Sequence, residues 1–269
     1  MTDKRDRTKP TFSKSCWTAI LTIGLLLPML VGGSHSLLAA DNDDAQARRA
    51  ALAKLTNQTA IAKIATEDDD VSVRLAAIKR LSDQVALAKV ATDDDSTNNR
   101  LAALEKLTNQ AAIAKVAADD DTVSIRLAAV KKLTDQTALG TITVDEENLD
   151  IRHIALAKLT DQAALAKVAE DSDDASIRLG AIKKLTNQTA LGKSATDDDE
   201  LANRLAALAS LTNQTVIAAL AVDDDEKSIR LAAIKKLTNR EVLQKLATDT
   251  DEEREVRRAA RQKLAEKQP

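Results

Sequence analysis

Aromatic and sulfur-containing side chains are almost missing from this chain. Its 269 residues include one phenylalanine, one tryptophan, one cysteine and no tyrosine. Phe12, Cys16 and Trp17 all precede residue 41, so the rest of the sequence has no aromatic side chain and no thiol. This composition excludes disulfides and thiol nucleophiles beyond residue 40, and it removes the stacking platforms that nucleic acids need. We therefore predict no nucleic-acid partner.

Catalytic side chains are equally scarce beyond residue 40. His153 is the only histidine there, and no glycine-rich phosphate loop is present. Carboxylates are abundant, but they cluster in turns that we expect to be exposed, whereas acid–base catalysis needs sheltered groups with shifted pKa values. We predict that the protein is not an enzyme.

The first forty residues have the order of a secretory signal peptide. An apolar run over residues 17–31 precedes the small-residue sequence Leu38-Ala39-Ala40, and five basic residues come before it: Lys4, Arg5, Arg7, Lys9 and Lys14. We predict cleavage before Asp41 and export to the periplasm or the extracellular space, with no membrane insertion after cleavage. An uncleaved membrane anchor is the alternative, because residues 37–40 lengthen the apolar stretch.

The charge of the remaining chain is acidic. Of the 39 basic and 42 acidic residues, five basic and two acidic ones lie before Asp41, which leaves 34 against 40 and a net charge of −6. This excess favours solubility and argues again against nucleic-acid binding.

A 26-residue motif recurs eight times after the signal segment. Each copy opens with an arginine, and a leucine follows seven residues later. The arginines are Arg48, Arg74, Arg100, Arg126, Arg152, Arg178, Arg204 and Arg230, with a late ninth at Arg257. A fixed period of this length is typical of stacked repeat proteins, in which no single unit buries its own apolar face.

Each copy predicts two short helices. Ile125, Ala129, Val130 and Leu133 follow helical spacing on the first of them, helix A. A polar residue two positions before the arginine is the predicted N-cap of helix A: Ser72, Asn98, Ser124, Asp150, Ser176 and Ser228. A polar box such as Thr134-Asp135-Gln136 ends helix A and caps a second, shorter helix B, which an acidic turn follows.

These features predict an all-α fold, an α-solenoid of about eight two-helix repeats. We assign residues 1–40 to the signal peptide, 41–47 to an acidic lead-in, 48–256 to the solenoid and 257–269 to a C-terminal capping half-repeat. We expect a monomer, since nothing in the repeat itself calls for a second copy.

The pattern resembles the HEAT-like helical repeats, and a short repeat of the leucine-rich variant type is a close alternative. HEAT-like units carry an acid in the turn and an arginine that opens the next helix. Here an acid lies six residues before the arginine, and the resemblance implies inter-repeat contacts between Asp68 and Arg74, Asp94 and Arg100, Asp120 and Arg126, Asp198 and Arg204, and Asp224 and Arg230. It also implies a scaffold or binding surface rather than catalysis. Phycobilin lyases share such repeats, but they need aromatic or cysteine residues, which are missing beyond residue 40.

Two surface features are candidate binding sites. Lysines recur fifteen residues after the arginine, at Lys63, Lys89, Lys115, Lys167, Lys193 and Lys245, with interruptions at Thr141 and Ala219. They form either the solvated face that any solenoid helix needs or a surface for a partner. We predict a protein partner whose identity the sequence does not reveal.

The acidic turns are the second candidate. Clustered carboxylates such as Asp119, Asp120 and Asp121 suit a hard cation, so the alternative function is a structural spacer that binds Ca²⁺. No cluster has the alternating acids and central glycine of an EF-hand loop, and solvated turns explain the acids equally well. We expect no other cofactor. His153 replaces a leucine found in six other copies, and we expect it to be partly buried and without a metal.

Overall fold

The structure, a computed structural model, describes residues 40–266, with side chains from residue 44 onward. The chain divides into two units, Met1–Asp44 and Ala45–Pro269. The predicted signal peptide lies outside the described residues except for Ala40. Among residues 40–266, no helix combines the length and the apolar character that crossing a bilayer requires.

The described residues form seventeen α-helices. The odd-numbered ones are the A helices: α1 Ala40–Lys54, α3 Val71–Arg80, α5 Thr97–Lys106, α7 Val123–Lys132, α9 Leu149–Lys158, α11 Ala175–Lys184, α13 Leu201–Ser210, α15 Lys227–Lys236 and α17 Arg254–Ala265. The even-numbered ones are the B helices: α2 Gln58–Glu67, α4 Gln84–Asp93, α6 Gln110–Asp119, α8 Gln136–Asp145, α10 Gln162–Asp171, α12 Gln188–Asp197, α14 Gln214–Asp223 and α16 Arg240–Thr248.

The helices stack as an α-solenoid, which confirms the predicted fold class. Each B helix packs against the A helix that follows it, and successive A helices pack against one another. The predicted difference in helix length is wrong: α3 to α15 all have ten residues, in A and B positions alike. The residues assigned to an acidic lead-in lie within α1.

Local side chains determine where each B helix begins. Asp83 is the N-cap of α4, and its Oδ1 accepts hydrogen bonds from the backbone N–H groups of Val85 and Ala86 at 2.8 and 3.1 Å. Asparagine or aspartate has the same role in every B helix from α2 to α16. The polar box therefore caps helix B as predicted, because it satisfies N–H groups that the first turn leaves free.

The A helices begin two residues earlier than predicted. In α3 the N-cap is Asp70, whose Oδ1 accepts from the backbone N–H groups of Ser72 and Val73. Ser72 is inside the helix, and its hydroxyl donates to Asp70, which lowers the pKa of that carboxyl. The same arrangement of Asp174 and Ser176 opens α11. The polar residue chosen from the sequence assists the cap in these helices but is not the cap.

The core is one aliphatic layer between the A and B helices. In one repeat it contains Val73, Ala77, Ile78, Leu81, Leu87, Val90 and Ala91, each at most 2% exposed. Leu81 follows the last residue of α3, and its backbone N–H donates to the carbonyls of Ala77 and Ile78, so the end of the helix carries a side chain into the core. Aliphatic burial at every repeat, rather than a central aromatic cluster, supplies the hydrophobic stabilisation.

Candidate functional site

An arginine connects each acidic turn to the next one. Nε and Nη2 of Arg74 donate to the two carboxylate oxygens of Asp94, at 2.8 and 3.1 Å, in the bidentate geometry of strong arginine–carboxylate pairs. Nη1 of Arg74 donates to the backbone carbonyl of Asp68 at 2.9 Å. The carboxylate pairs of this arginine ladder are Arg48–Asp68, Arg74–Asp94, Arg100–Asp120, Arg126–Glu146, Arg178–Asp198 and, more loosely, Arg204–Asp224.

The predicted register of these pairs is wrong. The sequence pairs Asp68 with Arg74 and Asp94 with Arg100, six residues apart, but in the structure the carboxylate belongs to the arginine twenty residues before it. The residue six positions earlier contributes its backbone carbonyl instead, as Asp120 does for Arg126 and Asp224 for Arg230. Five arginines thus hold two successive turns at once: Arg74, Arg100, Arg126, Arg178 and Arg230.

The buried acids also organise their own turns. Oδ1 of Asp198 accepts from the backbone N–H of Glu200 at 2.9 Å, and Asp94 bonds Ser96 in the same way. Burial opposes ionisation of Asp198, but hydrogen bonds from Arg178, Glu200 and Asn203 outweigh it and lower the pKa. Burial also opposes ionisation of Glu146, but the hydrogen bonds from Arg126 and from the backbone N–H of Asn148, together with the charge of Arg126, outweigh it and lower the pKa. These carboxylates therefore stay ionised at neutral pH.

Two buried asparagines that the repeat pattern did not single out reinforce this ladder. Asn99 and Asn203 precede the arginine at positions where five other repeats have valine or isoleucine, and they are 0% and 2% exposed. Nδ2 of Asn203 donates to the carboxylate of Asp198 and to the carbonyl of Ala175 at the start of the preceding A helix. The sequence did contain an indication of this role, because asparagine replaces an aliphatic residue at the position immediately before the arginine.

The arginine ladder is irregular in one central repeat. The residue twenty positions after Arg152 is Ser172, which cannot form an ion pair. Arg152 instead donates to the carbonyl of Thr143 at 2.9 Å and to the hydroxyl of Ser172 at 2.6 Å, and it pairs with the exposed Asp173. Within the part of the chain that the structure describes, Arg152 forms no ion pair with a buried carboxylate.

A second ladder joins the polar boxes of neighbouring repeats. Oε1 of Gln84 accepts from both the backbone N–H and the hydroxyl of Thr108, at 2.8 and 3.0 Å. The amide of Gln84 donates to the carbonyl of Lys106. The glutamines of this ladder are Gln58, Gln84, Gln110, Gln136, Gln162, Gln188 and Gln214. The box therefore has a second role that its capping pattern did not indicate.

A third ladder caps the A helices. Nζ of Lys184, the last residue of α11, donates to the carbonyls of Leu156 and Ala157 at the end of α9, at 2.7 and 3.0 Å. Partial burial lowers the pKa of Lys184, as it does for its equivalents Lys106, Lys158 and Lys236. A cation at a helix C-terminus meets the negative end of the helix dipole. At α13 the position is occupied by Ser210.

The predicted partner-binding lysines are all exposed on the B helices. Lys63, Lys89, Lys115, Lys167, Lys193 and Lys245 occupy equivalent positions, and we name this set the B-helix lysine row. Only Lys193 has an ion pair within the described residues, with Glu170 of the preceding repeat. An exposed acid ends most B helices four residues later, about one helical turn away. The face therefore presents parallel rows of opposite charge.

The structure does not bring Asp119, Asp120 and Asp121 together as cation ligands. The Asp120 carboxylate is bound by Arg100 and by the backbone N–H of Thr122, while Asp119 and Asp121 are exposed on either side. Among the described residues, no group of three metal-ligating side chains has the geometry to hold an ion. The ladder already uses the carboxylate oxygens of Asp120, and calcium binding by this turn stays a prediction.

His153 differs from its prediction as well. The leucines at equivalent positions are half-buried, whereas His153 is exposed on α9. Its polar ring turns to solvent at a position that borders the core, so it does not add to the core.

Comparisons with known proteins add little to this geometry. No family model matches the chain, and no curated protein matches it. Among solved structures, the chain is similar to an archaeal HEAT-like repeats protein from Thermococcus onnurineus NA1, with 17% identity over 87% of this chain and 97% of the other. The TM-score is 0.21, which carries no functional argument. The repeated helix pairs themselves form the two-helix α-solenoid that the sequence predicted.

Proposed function

We propose that the protein is an exported, non-catalytic scaffold that binds a protein partner along its B-helix face. The observation that carries the proposal is the B-helix lysine row, six exposed lysines that recur on a framework whose repeats are linked by three polar ladders. Neighbouring helices pack about 10 Å apart, so the row repeats a charge at roughly that interval. A partner with similarly spaced carboxylates can pair with several lysines at once.

The chemistry of the buried groups supports a non-catalytic role. General acid–base catalysis needs a group that exchanges protons near the working pH. Hydrogen bonds from Arg74, Ser96 and Asn99 outweigh burial and lower the pKa of Asp94, while bonding to Asp94 raises the pKa of Arg74. These pairs hold their charges and join repeats.

The signal-like organisation of residues 1–40 supports export. The N-terminus of the protein isolated from its native cells tests this part. We expect a chain that begins at Asp41 in the periplasmic or secreted fraction. A chain that retains residues 1–40 in the membrane fraction would contradict cleavage and favour the anchor.

Charge reversal tests the binding face. The full chain would be used to capture partners from native envelope and secreted fractions, followed by lysine-reactive crosslinking. The test variant replaces Lys89, Lys115 and Lys167 with glutamate. The matched control replaces three exposed A-helix lysines, Lys79, Lys131 and Lys183, so both variants have the same net charge.

The proposal expects the test variant to lose the partner while the control keeps it, with equal helix content by circular dichroism. Equal capture by both variants would place binding elsewhere. If no partner is captured and millimolar Ca²⁺ raises the melting temperature of the protein, the calcium-binding spacer becomes the better-supported hypothesis.

A further inference from the structure

Exposed apolar side chains recur at one position of the A helices. Within the part of the chain that the structure describes, five large apolar residues are exposed, and four of them open an A helix: Val71, Val123, Leu149 and Leu201. We name these four residues, which are 37% to 44% exposed, the A-helix apolar row. The first residues of α5, α11 and α15 interrupt the row; they are Thr97, Ala175 and Lys227.

The row continues into a wider apolar surface. Residues four apart lie on one face of a helix, so the half-buried Leu127 extends the surface of Val123. Two other A helices have the same pair: Val71 with Leu75 and Leu201 with Leu205. Successive A helices pack against one another, which aligns these pairs along the stack. Isolated exposed apolar residues are common, whereas an aligned set is typical of a binding surface.

Negative charge borders the row along one side. Asp121 and Glu147 lie two residues before Val123 and Leu149, and both acids are exposed. Neither carboxylate forms an ion pair with another described residue. The arrangement offers apolar contact and a free negative charge side by side.

The acid at this position is not free in every repeat. Before Thr97 and Ala175 it pairs with an arginine of the ladder, and it does so before Leu201 as well. Unpaired carboxylates adjoin the apolar row at Val71, Val123 and Leu149. The last two residues belong to consecutive A helices, so two apolar side chains and two free acids meet at the start of α7 and α9.

The spacing of the A helices favours a helix over an extended strand as the occupant. Neighbouring helices pack about 10 Å apart. A crossing α-helix covers that distance in about seven residues, two turns, and presents the same face again. An extended strand covers it in about three residues, and an odd number turns its next side chain to the opposite face. One face of a strand therefore cannot follow the row from repeat to repeat.

We propose that the A-helix apolar row binds an amphipathic helix of a partner protein, one with apolar residues about seven apart and lysine or arginine beside them. The apolar residues cover Val123 and Leu149, and the basic ones pair with Asp121 and Glu147. A membrane surface fits less well, because acids at the border repel anionic headgroups. The row lies on the A helices, so this binding does not depend on the B-helix lysine row.

A synthetic helical peptide of about 22 residues tests the proposal; it has a leucine about every seven residues, lysines beside the leucines, and alanine and glutamine elsewhere. Calorimetric titration of the full chain with this striped peptide in moderate salt should show saturable binding of one equivalent. A control peptide of the same composition has its leucines scattered around the helix, and a second has glutamate in place of lysine. Neither control peptide should bind.

Substitutions in the row test its apolar contacts. Val123→Ser together with Leu149→Ser should weaken binding of the striped peptide about tenfold or more, because the peptide leucines lose the surface they cover. Val123→Ser alone has a matched control in Val85→Ser, which changes the fifth exposed apolar residue, on a B helix. The control should bind as the parent chain does, and circular dichroism should show equal helix content in all variants.

Neutralised acids test the charged border. Asp121→Asn together with Glu147→Gln should weaken binding about fivefold at low salt and less at high salt. The matched control, Asp223→Asn together with Glu241→Gln, has the same net charge and changes exposed acids of α14 and α16. It should bind as the parent chain does. Equal losses in the two variants overturn the proposal, because diffuse attraction to an acidic surface would then explain the signal.

Three further results overturn the proposal. The first is no binding of the striped peptide, or equal binding of the scattered one. The second is a dimer of the chain alone, measured by sedimentation, that Val123→Ser with Leu149→Ser dissociates, since a second copy would then cover the row. The third is binding to neutral lipid vesicles that the same variant abolishes, since the row would then serve a lipid surface.

Discussion

Two junctions between neighbouring repeats use the same arginine with different partners. At one, Arg178 forms a bidentate pair with Asp198, whose side chain is 2% exposed. At the other, Arg152 meets Ser172 and turns to the carbonyl of Thr143 and to the exposed Asp173. Both arginines are buried to a similar degree. The arginine therefore keeps its place by bonding to backbone carbonyls as well, and the carboxylate determines how strongly the junction depends on charge.

Replacement of the arginine by alanine should show the largest difference in stability between the two junctions. Arg178→Ala leaves the Asp198 carboxylate buried without its ion-pair partner, and we expect a loss of about 3–5 kcal/mol in the free energy of unfolding. Arg152→Ala leaves neutral buried groups unsatisfied, and its one ion-pair partner, Asp173, is 84% exposed and therefore solvated, so the change should cost about 1–3 kcal/mol. Urea unfolding measures both. Equal losses would show that the buried carboxylate does not distinguish the junctions.

Acid should weaken the first junction selectively. Hydrogen bonds lower the pKa of Asp198 below its ordinary value of 3.8 in the folded protein, despite burial. The stabilisation is therefore present above pH 3.8 and is lost as the pH falls through the lower, folded-state pKa. We expect the parent chain to lose stability in this acid range and Asp198→Asn to show a shallower loss, measured as unfolding free energy against pH. A Ser172→Asn variant, which removes no carboxylate, should keep the parent slope.

A new carboxylate should make the second junction resemble the first. Ser172→Asp places an acid twenty residues after Arg152, and we expect a gain of up to about 1 kcal/mol, because ion pairing offsets the cost of burial. In an Arg152→Ala background the same change should destabilise, since the acid is then buried alone. A double-mutant cycle measures this difference: the change in unfolding free energy caused by Ser172→Asp should be opposite in sign in the two backgrounds. If Ser172→Asp lowers the unfolding free energy in the parent chain as well as in Arg152→Ala, Arg152 does not form the bidentate carboxylate pair of the other repeats.

The smallest expected effect comes from the lysine ladder. Ser210 ends α13 where most A helices end in lysine. Ser210→Lys should bring an ammonium group to the carbonyls at the end of α11 and raise the unfolding free energy by about 0.3–1 kcal/mol. Exposed Lys183→Ala, which removes no such cap, provides the control. Salt screens an electrostatic interaction, so the gain in unfolding free energy should shrink as the salt concentration rises. A gain that is present at high salt but absent at low salt would contradict an electrostatic origin.

The sequence predicted the repeats, the helix pairs and the capped B helices, because each depends on neighbours within one 26-residue unit. It did not predict which acid meets which arginine. Asp94 lies six residues before Arg100 and twenty residues after Arg74, and these two separations add up to one period. A perfect repeat makes the two pairings indistinguishable in sequence, so only the stacking of repeats determines the register.

The B-helix lysine row, in contrast, needed only the helical period to place its members on one exposed face.

The most direct test of the proposed binding role is a footprint of the captured partner on the full chain by hydrogen exchange and lysine crosslinking. The proposal predicts crosslinks and slowed exchange on the B helices around Lys89, Lys115 and Lys167. Lys79, Lys131 and Lys183 on the A helices should remain accessible. A footprint confined to the A helices or to the acidic turns would contradict it.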